Sequence, residues 1–210
     1  MSEIRLVDRD RLIMREIDRW RVVQGKHIRE LVGFSGQRAC DRRLRKLIEA
    51  GYIKRERILY GVAGIYRNTE KARKIGGLPD GVRKIRVEQI VHDIAVLDTV
   101  IYFKEKYEVA FDQITTEIEL HRQDGFGIRY HRPDFVFKKN NKTYCVEVEL
   151  TLKSKDRFEK IIRDNFTEYN IQIWIVPSME SKITKTLKEN AKAYPNIRII
   201  DISEVEKWKT

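Results

Sequence analysis

The sequence has few cysteines and no long apolar run. Its 210 residues include two cysteines, Cys40 and Cys145, which lie far apart and form no Cys-x-x-Cys pair. This spacing argues against a disulfide framework and a cysteine-rich zinc site, so we expect both thiols to be buried. No stretch approaches the ~20 apolar residues of a membrane helix, and the first residues lack the apolar core of a signal peptide. We therefore expect a cytoplasmic protein without a membrane span.

Motifs for common cofactors and hydrolases are also absent from the sequence. It has no Gly-x-x-x-x-Gly-Lys-Ser/Thr phosphate loop and no Gly-x-Gly-x-x-Gly, which argues against ATP and dinucleotide cofactors. It has no Gly-x-Ser-x-Gly elbow, which argues against a common hydrolase.

Positive charge, by contrast, is abundant and unevenly distributed. The chain has 43 Lys and Arg against 32 Asp and Glu, a formal net charge of +11. Residues 1–80 hold 20 basic and 11 acidic side chains, whereas residues 81–210 hold 23 basic and 21 acidic ones. Most of the excess positive charge therefore lies in the first 80 residues. A concentrated positive field favours polyanions, of which nucleic acid is the commonest in the cytoplasm. An acidic protein or a membrane surface is the alternative partner.

The first 75 residues show three helical patterns in succession. Apolar periodicity predicts an amphipathic helix over 8–20 and a shorter helix over 27–32. A third helix follows, which we expect Ser35 to cap and Gly51 to end.

Two short strands are predicted after the third helix, at 52–59 and 62–66, with a turn at Tyr60-Gly61. Three helices and a hairpin are the order of a winged helix-turn-helix, whose third helix enters the major groove of DNA while the hairpin touches the backbone. A solvated charged face or a protein-contact surface are the alternative uses of these elements. The candidate DNA-binding residues are Gln37, Arg38, Arg42 and Arg45 on the helix and Lys54, Arg55 and Arg57 on the wing.

A glycine- and proline-containing stretch separates this domain from the rest of the chain. Residues 71–81 are predicted to be loose, and we place the linker at 76–84, between domains at 1–75 and 85–210. The second domain is predicted to be α/β with a mixed sheet. Its predicted helices are 87–107, 154–166 and 181–194, and its predicted strands are 111–120, 133–138, 144–150, 171–176 and 197–201. Asn140-Asn141 suits a hairpin turn between the second and third of these strands.

Acidic residues interrupt two neighbouring strands of this predicted sheet. Asp134 begins one strand, and Glu147 lies inside its hairpin partner, so the two carboxylates can lie side by side. Adjacent carboxylates repel and need a cation, and their hard oxygen atoms suit Mg²⁺ or Mn²⁺. Such an ion can activate water and offset charge on a phosphate. Spacing alone favours a simpler interpretation, in which Asp134 caps a turn and Glu147 and Glu149 line the solvated face of an edge strand.

Two sets of motifs resemble known families. The segments Arg132-Pro133-Asp134 and Cys145-Val146-Glu147-Val148-Glu149 resemble the PD-(D/E)xK motif of restriction-endonuclease-like nucleases. Together with the helix string 92–98 and the segment 116–120, they resemble the replication-relaxation family of plasmids and other mobile elements. The resemblance covers about residues 5–205, including the winged helix, and the architecture is similar to that of mobilisation relaxases with a restriction-endonuclease-like core.

This resemblance implies a metal-dependent DNA endonuclease or nickase that acts at a particular site on mobile-element DNA, in replication or mobilisation. It implies that Asp134 and Glu147 hold Mg²⁺ or Mn²⁺ and that Glu117 or His92 completes the site. The motif lysine is replaced by Glu149. The lysines that could supply the displaced charge are Lys153, Lys155 and Lys160. The alternative is an inactive DNA-binding regulator, or a replication or relaxosome accessory protein, with a nuclease-like scaffold.

Other candidate groups have more ordinary explanations. Tyr130 is the tyrosine best placed to act as a nucleophile, although most tyrosines must be packing residues. His121 and His131 match no zinc-binding spacing, and His131 is more typical of a residue that supports a neighbouring carboxylate or is simply exposed. Palindromic DNA sites often pair with protein dimers, so a homodimer is left open.

Overall fold

The structure is a computed structural model that describes residues 4–78, 85–124 and 130–207. The chain divides into two compact units, Met1–Leu97 and Asp98–Thr210. Most of the predicted linker at 76–84 lies outside the described residues, and the units divide further along the chain, within a helix. No helix in the three described ranges is long and apolar enough to cross a membrane.

The first unit combines helices with a small antiparallel sheet. The bounds in chain order are α1 Asp8–Arg19, β1 Val23–Gln24, α2 Gly25–Val32, α3 Gln37–Glu49, β2 Ile53–Glu56, β3 Ile65–Asn68 and α4 Glu70–Gly76. The described strands pair in the order β1-β3-β2. A 3₁₀ turn, Val87–Gln89, precedes helix α5, Ile90–Tyr107, in which the two units divide.

The three predicted helices of the first unit are confirmed, but several boundaries differ. The Ser35 cap is wrong, because Gly36 precedes α3 and offers no side-chain oxygen to the first turn. The strands are shorter than predicted, since their pairing ends at Glu56↔Ile65 and residues 57–64 form a loop. Residues predicted to be loose after position 70 instead begin with α4, whose first turn is capped by the Thr69 hydroxyl.

A buried ion pair fixes α3 against α1. The inner face of α3 buries Cys40, Leu44 and Leu47. Asp10 of α1 is fully buried, and its Oδ1 accepts a hydrogen bond from Arg43 Nε of α3 at 2.6 Å. The other Asp10 oxygen accepts the Val7 N–H at 2.9 Å. The outward face of α3 is therefore held in one orientation.

Removing this carboxylate should destabilise the first unit. Asp10→Ala removes the carboxylate that pairs with Arg43 and is expected to lower the free energy of unfolding by about 3 kcal/mol, measured by urea denaturation. Asp8→Ala, an exposed acid on the same helical turn, is the control and should cost less than about 1 kcal/mol. Equal losses in the two variants would contradict the role given to the ion pair.

The second unit is built on a mixed sheet. The bounds after α5 are β4 Ile114–Thr116, α6 Glu117–Gln123, β5 Phe135–Lys139, β6 Lys142–Val148, α7 Lys155–Glu168, β7 Ile171–Val176, α8 Lys182–Asn190, β8 Ile197–Asp201 and α9 Ile202–Lys207. The described strands pair in the order β4-β5-β6-β7-β8, antiparallel from β4 to β6 and parallel from β6 to β8.

Helices of the second unit cover both faces of this sheet. On one face, Phe158 and Ile162 of α7 and Leu187 of α8 pack around Trp174 of β7. On the other face, Phe103 of α5 packs edge-on against Phe135 of β5 at 5.9 Å between ring centroids. The strands therefore lie in an apolar interior where any charged side chain needs partners.

One predicted strand of the second unit is wrong over most of its length. Residues 111–120 were expected to be extended, but β4 ends at Thr116 and α6 begins at Glu117. The Thr116 hydroxyl accepts the Glu119 N–H, and the Glu119 carboxylate accepts the Thr116 N–H at 2.8 Å. This reciprocal capping box starts a helix in spite of the β-branched sequence around it.

The β5-β6 hairpin sets the geometry of the acidic residues. Asn140 and Asn141 adopt φ of 50° and 57°, the left-handed values of a tight hairpin turn, which confirms the predicted turn. Phe135 is paired with Val146 at the open end of the hairpin. Asp134 precedes Phe135 and Glu147 follows Val146, so the two acidic residues lie next to each other on the two strands.

Candidate functional site

Three carboxylates gather where β5 begins and β6 ends. Asp134 Oδ2 accepts the backbone N–H of Val148 at 2.7 Å, which ties it across the hairpin. Glu147 is 4% exposed and Glu149 is 3% exposed. The expectation that these glutamates line the solvated face of an edge strand is wrong, because β6 is paired on both sides and helices cover the sheet.

Glu147 is held by two side chains from different elements. Its Oε1 accepts a hydrogen bond from Asn165 Nδ2 of α7 at 2.9 Å and lies 2.7 Å from His131 Nε2. Burial by itself lowers the pKa of His131, but the hydrogen bond and negative charge of Glu147 outweigh it, so the pKa is raised. The raised pKa favours the protonated form of His131, whose positive charge offsets the burial of Glu147.

Glu149 and Lys153 form a second polar pair beside the first. The Lys153 ammonium contacts Glu149 Oε2 in an ion pair, and the backbone N–H of Glu149 donates to Ile175 O at 2.9 Å. Burial raises the pKa of Glu149, the ion pair with Lys153 opposes this rise, and the charges of Glu147 and Asp134 add to it. The three carboxylates therefore repel one another electrostatically.

The structure separates Lys153 from the other candidate lysines. Lys155 lies on the exposed start of α7, where its ammonium is 3.8 Å from Glu159. Lys160 is exposed on the same helix. Lys153 contacts Glu149, the residue at the motif-lysine position, and thus carries positive charge into the carboxylate cluster.

The donor set suits a hard cation better than zinc. Within residues 4–78, 85–124 and 130–207, no three His, Cys, Asp or Glu side chains form a ready metal-binding group. Mg²⁺ and Mn²⁺ do not require one, since Mg²⁺ is commonly held by one or two carboxylates together with water and substrate phosphate. Asp134 Oδ2 and Glu147 Oε1 are the oxygens that take part in the hydrogen bonds described above. Asp134 and Glu147 together match the set of one or two carboxylates that holds Mg²⁺.

Two further predicted catalytic residues are Glu117, whose backbone contacts Asp134, and His92, which belongs to the first unit. Glu117 begins α6, and its N–H donates to the Asp134 carbonyl at 3.0 Å, while its carboxylate lies 3.7 Å from His121 Nε2. His121 also pairs with Asp124 at 3.0 Å. His92 belongs to the first unit, where its Nδ1 lies 3.3 Å from Asp93 Oδ1. Its catalytic role stays a prediction.

Tyr130 is exposed, whereas Cys40 and Cys145 are buried. Tyr130 is 59% exposed, and the Arg132 guanidinium lies over its ring at 5.6 Å. Cys40 and Cys145 are both buried free thiols, as expected from the sequence. The Cys145 thiol contacts the Ile171 carbonyl at 3.6 Å, and burial raises its pKa, which disfavours the nucleophilic thiolate form.

The predicted DNA-binding residues divide into two groups. Arg38, Arg42 and Arg45 are exposed on the outward side of α3, and we call them the α3 face. The remaining four residues differ in their contacts. Gln37 donates a hydrogen bond to Asp41 at 2.7 Å, and Lys54 forms an ion pair with Glu56 at 2.5 Å. The Arg55 guanidinium lies 5.8 Å from the centre of the Tyr66 ring, and Arg57 is exposed in the loop after β2.

Asn165 is a site residue that the sequence interpretation missed. It occupies a buried position on the α7 face that also carries Phe158, Ile161 and Ile162. A polar residue in an apolar helical stripe was the available signal, because a buried amide needs a hydrogen-bond partner. The identity of that partner, Glu147, depends on the packing of α7 against the sheet.

Comparison of the chain with models of known protein families gives no match. Comparison with curated proteins likewise gives no relative. The chemistry of the carboxylate cluster and of the α3 face is therefore the basis for a functional assignment.

The His131–Glu147 contact has a measurable consequence. In an NMR titration with EDTA present, the His131 ring should titrate above 6.5, its usual value, and Glu147→Gln should lower that midpoint. Because the folded pKa is raised, the contact stabilises the fold at low pH, and this contribution is lost as the pH rises through the folded pKa. A midpoint at or below the usual value, unchanged by the substitution, would contradict the contact.

Proposed function

We propose that the chain is a DNA-binding protein that cuts DNA with a bound divalent cation, as an endonuclease or nickase. The first unit would be a winged helix-turn-helix that selects the DNA site. The second would be a restriction-endonuclease-like domain that carries the chemistry. We further propose membership of the replication-relaxation family and a role in the replication or mobilisation of a plasmid or other mobile element.

The element order of the first unit supports the DNA-binding role. Three helices and the antiparallel strands β2 and β3 follow the order of winged-helix proteins, in which the third helix, here α3, would enter the major groove. The α3 face presents three exposed arginines, which suit both phosphates and guanine edges. The excess of 20 basic over 11 acidic residues within positions 1–80 adds a field that attracts DNA.

The observation that carries the catalytic proposal is the carboxylate cluster with its paired lysine. Asp134, Glu147 and Glu149 lie close enough to perturb one another, and Lys153 contacts one of them. A solvated strand face would not bury Glu147 and Glu149 beside a half-buried Asp134, since the burial of each carboxylate is costly. Such a cluster is typical of a cation site used in phosphodiester chemistry.

The residues of the cluster have distinct roles in this proposal. Asp134 and Glu147 would hold Mg²⁺ or Mn²⁺, which when bound supplies a polarised water and neutralises phosphate charge. His131 and Asn165 fix the orientation of Glu147. Lys153 would stabilise the charge that develops on phosphorus-bound oxygen as the water oxygen bonds to phosphorus and the sugar oxygen leaves with a proton.

A regulator or accessory role is the second candidate function. It is favoured by Glu149 in the motif-lysine position and by the hydrogen bonds that already occupy Glu147 Oε1. In this case the second unit would be a scaffold, and the protein would bind DNA, alone or as a dimer, beside replication or relaxosome proteins.

Incubation with supercoiled plasmid from its own replicon tests the catalytic proposal. With Mg²⁺ or Mn²⁺, the wild-type chain should nick or cut the plasmid, and EDTA should stop the reaction. Asp134→Asn and Glu147→Gln keep the shapes of the side chains but remove the charges, and each should reduce the rate at least about 100-fold. Lys153→Ala should reduce the rate by at least about tenfold, but by less than either carboxylate substitution.

Glu159→Gln is the matched control, because Glu159 is an exposed carboxylate on α7. It should leave the rate unchanged. Metal-dependent cleavage that survives both Asp134→Asn and Glu147→Gln would contradict the site. DNA binding without cleavage under any of these conditions would favour the regulator.

A further inference from the structure

Tyr60 stands at the tip of the loop between β2 and β3 in the first unit. Its relative exposure is 107%, so its ring is presented entirely to solvent. Isolated exposed aliphatic residues are common, but a fully exposed aromatic ring forgoes a large gain from burial. The surroundings of the ring therefore decide whether it has a use.

The loop that carries Tyr60 is anchored on both sides. Ile58 and Leu59 pack against the cluster formed by Val22, Ile65 and Ile90. On the far side, Gln24 Nε2 donates to the Ala63 carbonyl at 3.0 Å. The exposed ring is thus mounted on a fixed segment.

The turn itself directs Tyr60 outward. The Val62 N–H donates to the Leu59 carbonyl at 3.4 Å, which closes a turn with Tyr60 and Gly61 at its centre. Gly61 has φ of 74°, the left-handed value that the second central residue of a type II turn requires. Backbone geometry and apolar anchoring together hold the Tyr60 ring away from the core.

Basic residues surround the base of this loop. Arg45 of α3, Arg55 of β2 and Gly64 at the end of the loop line one cleft. Arg57, at the start of the loop, is exposed. The loop therefore borders the same cleft as the α3 face, in a part of the chain with a net charge of +9. This charge favours a polyanion over an apolar protein surface as the occupant.

We propose that Tyr60 contacts DNA directly, with its ring packed against a base or sugar in the groove beside α3. The proposal rests on the DNA-binding role above and adds a contact that carries no charge. In a duplex the base faces are stacked on one another, so the ring would pack on a deoxyribose or on an apolar base edge such as the thymine methyl. Tyr60 would thus strengthen binding through its ring rather than through its hydroxyl.

Fluorescence anisotropy of the full chain on a labelled mixed-sequence 40-base-pair duplex, with EDTA present, tests this proposal. Tyr60→Ala removes the apolar contact of the ring and should weaken binding about tenfold, whereas Tyr60→Phe should remain within about twofold of wild type. Ile75→Ala, an exposed apolar residue on α4, is the control and should bind like wild type. The dependence of affinity on salt should be unchanged in Tyr60→Ala, because the contact releases no counterion.

The reference variant is Arg38→Ala/Arg42→Ala/Arg45→Ala, which should weaken binding and reduce the salt slope by about 2 to 3. If this variant weakens binding and Tyr60→Ala does not, DNA binding stands and the Tyr60 contact is overturned. If the wild-type chain does not bind the duplex, the DNA-binding role itself is overturned together with the contact.

A second readout guards against an indirect effect on folding. Tyr60→Trp places a fluorophore at the tip, and its emission, taken as the difference from wild type, should become shielded from iodide when the duplex binds. Continued quenching by iodide in the complex would overturn the contact. Loss of self-association in Tyr60→Ala with unchanged DNA affinity would also overturn it, by assigning the ring to a protein interface.

Discussion

The antiparallel pairing of β5 with β6 is the constraint on which the polar site of the second unit depends. The register Phe135↔Val146 brings Asp134 and Glu147 together, and the parallel partner β7 on the other side makes β6 an interior strand. Burial of a carboxylate there is costly unless other groups compensate for it. His131 and the Asn165 amide supply that compensation to a single oxygen of Glu147, and the result is a polar site with defined geometry.

Strands were predictable wherever local signals agreed with one another. Asn170 and Asn196 precede the apolar runs at 171–176 and 197–201, and both strands have the predicted bounds. Residues 111–120 misled because Ile114, Ile118 and Leu120 alternate like a strand, whereas the capping box at Thr116 begins a helix. Periodicity shows which side chains are apolar, but a helix cap determines the backbone conformation at the one residue where the helix begins.

The acids of the candidate site were predictable, but their environment was not. Asp134 and Glu147 could be identified because they interrupt strands, yet their burial depends on which strands become neighbours. The Asn165–Glu147 contact joins a helix to a strand through tertiary packing. Lys153 is four residues from Glu149 outside any helix, so helical spacing could not select it over Lys155.

The central claim, that the hairpin carboxylates form a cation site, is tested most directly by metal-dependent thermal stability. With Mn²⁺ well above its dissociation constant, the melting temperature of the wild-type chain should rise by about 3 °C or more relative to EDTA. The same addition should produce little rise in Asp134→Asn, whatever the starting stability of that variant. An equal rise in both proteins, or no rise in the wild-type chain, would contradict the account.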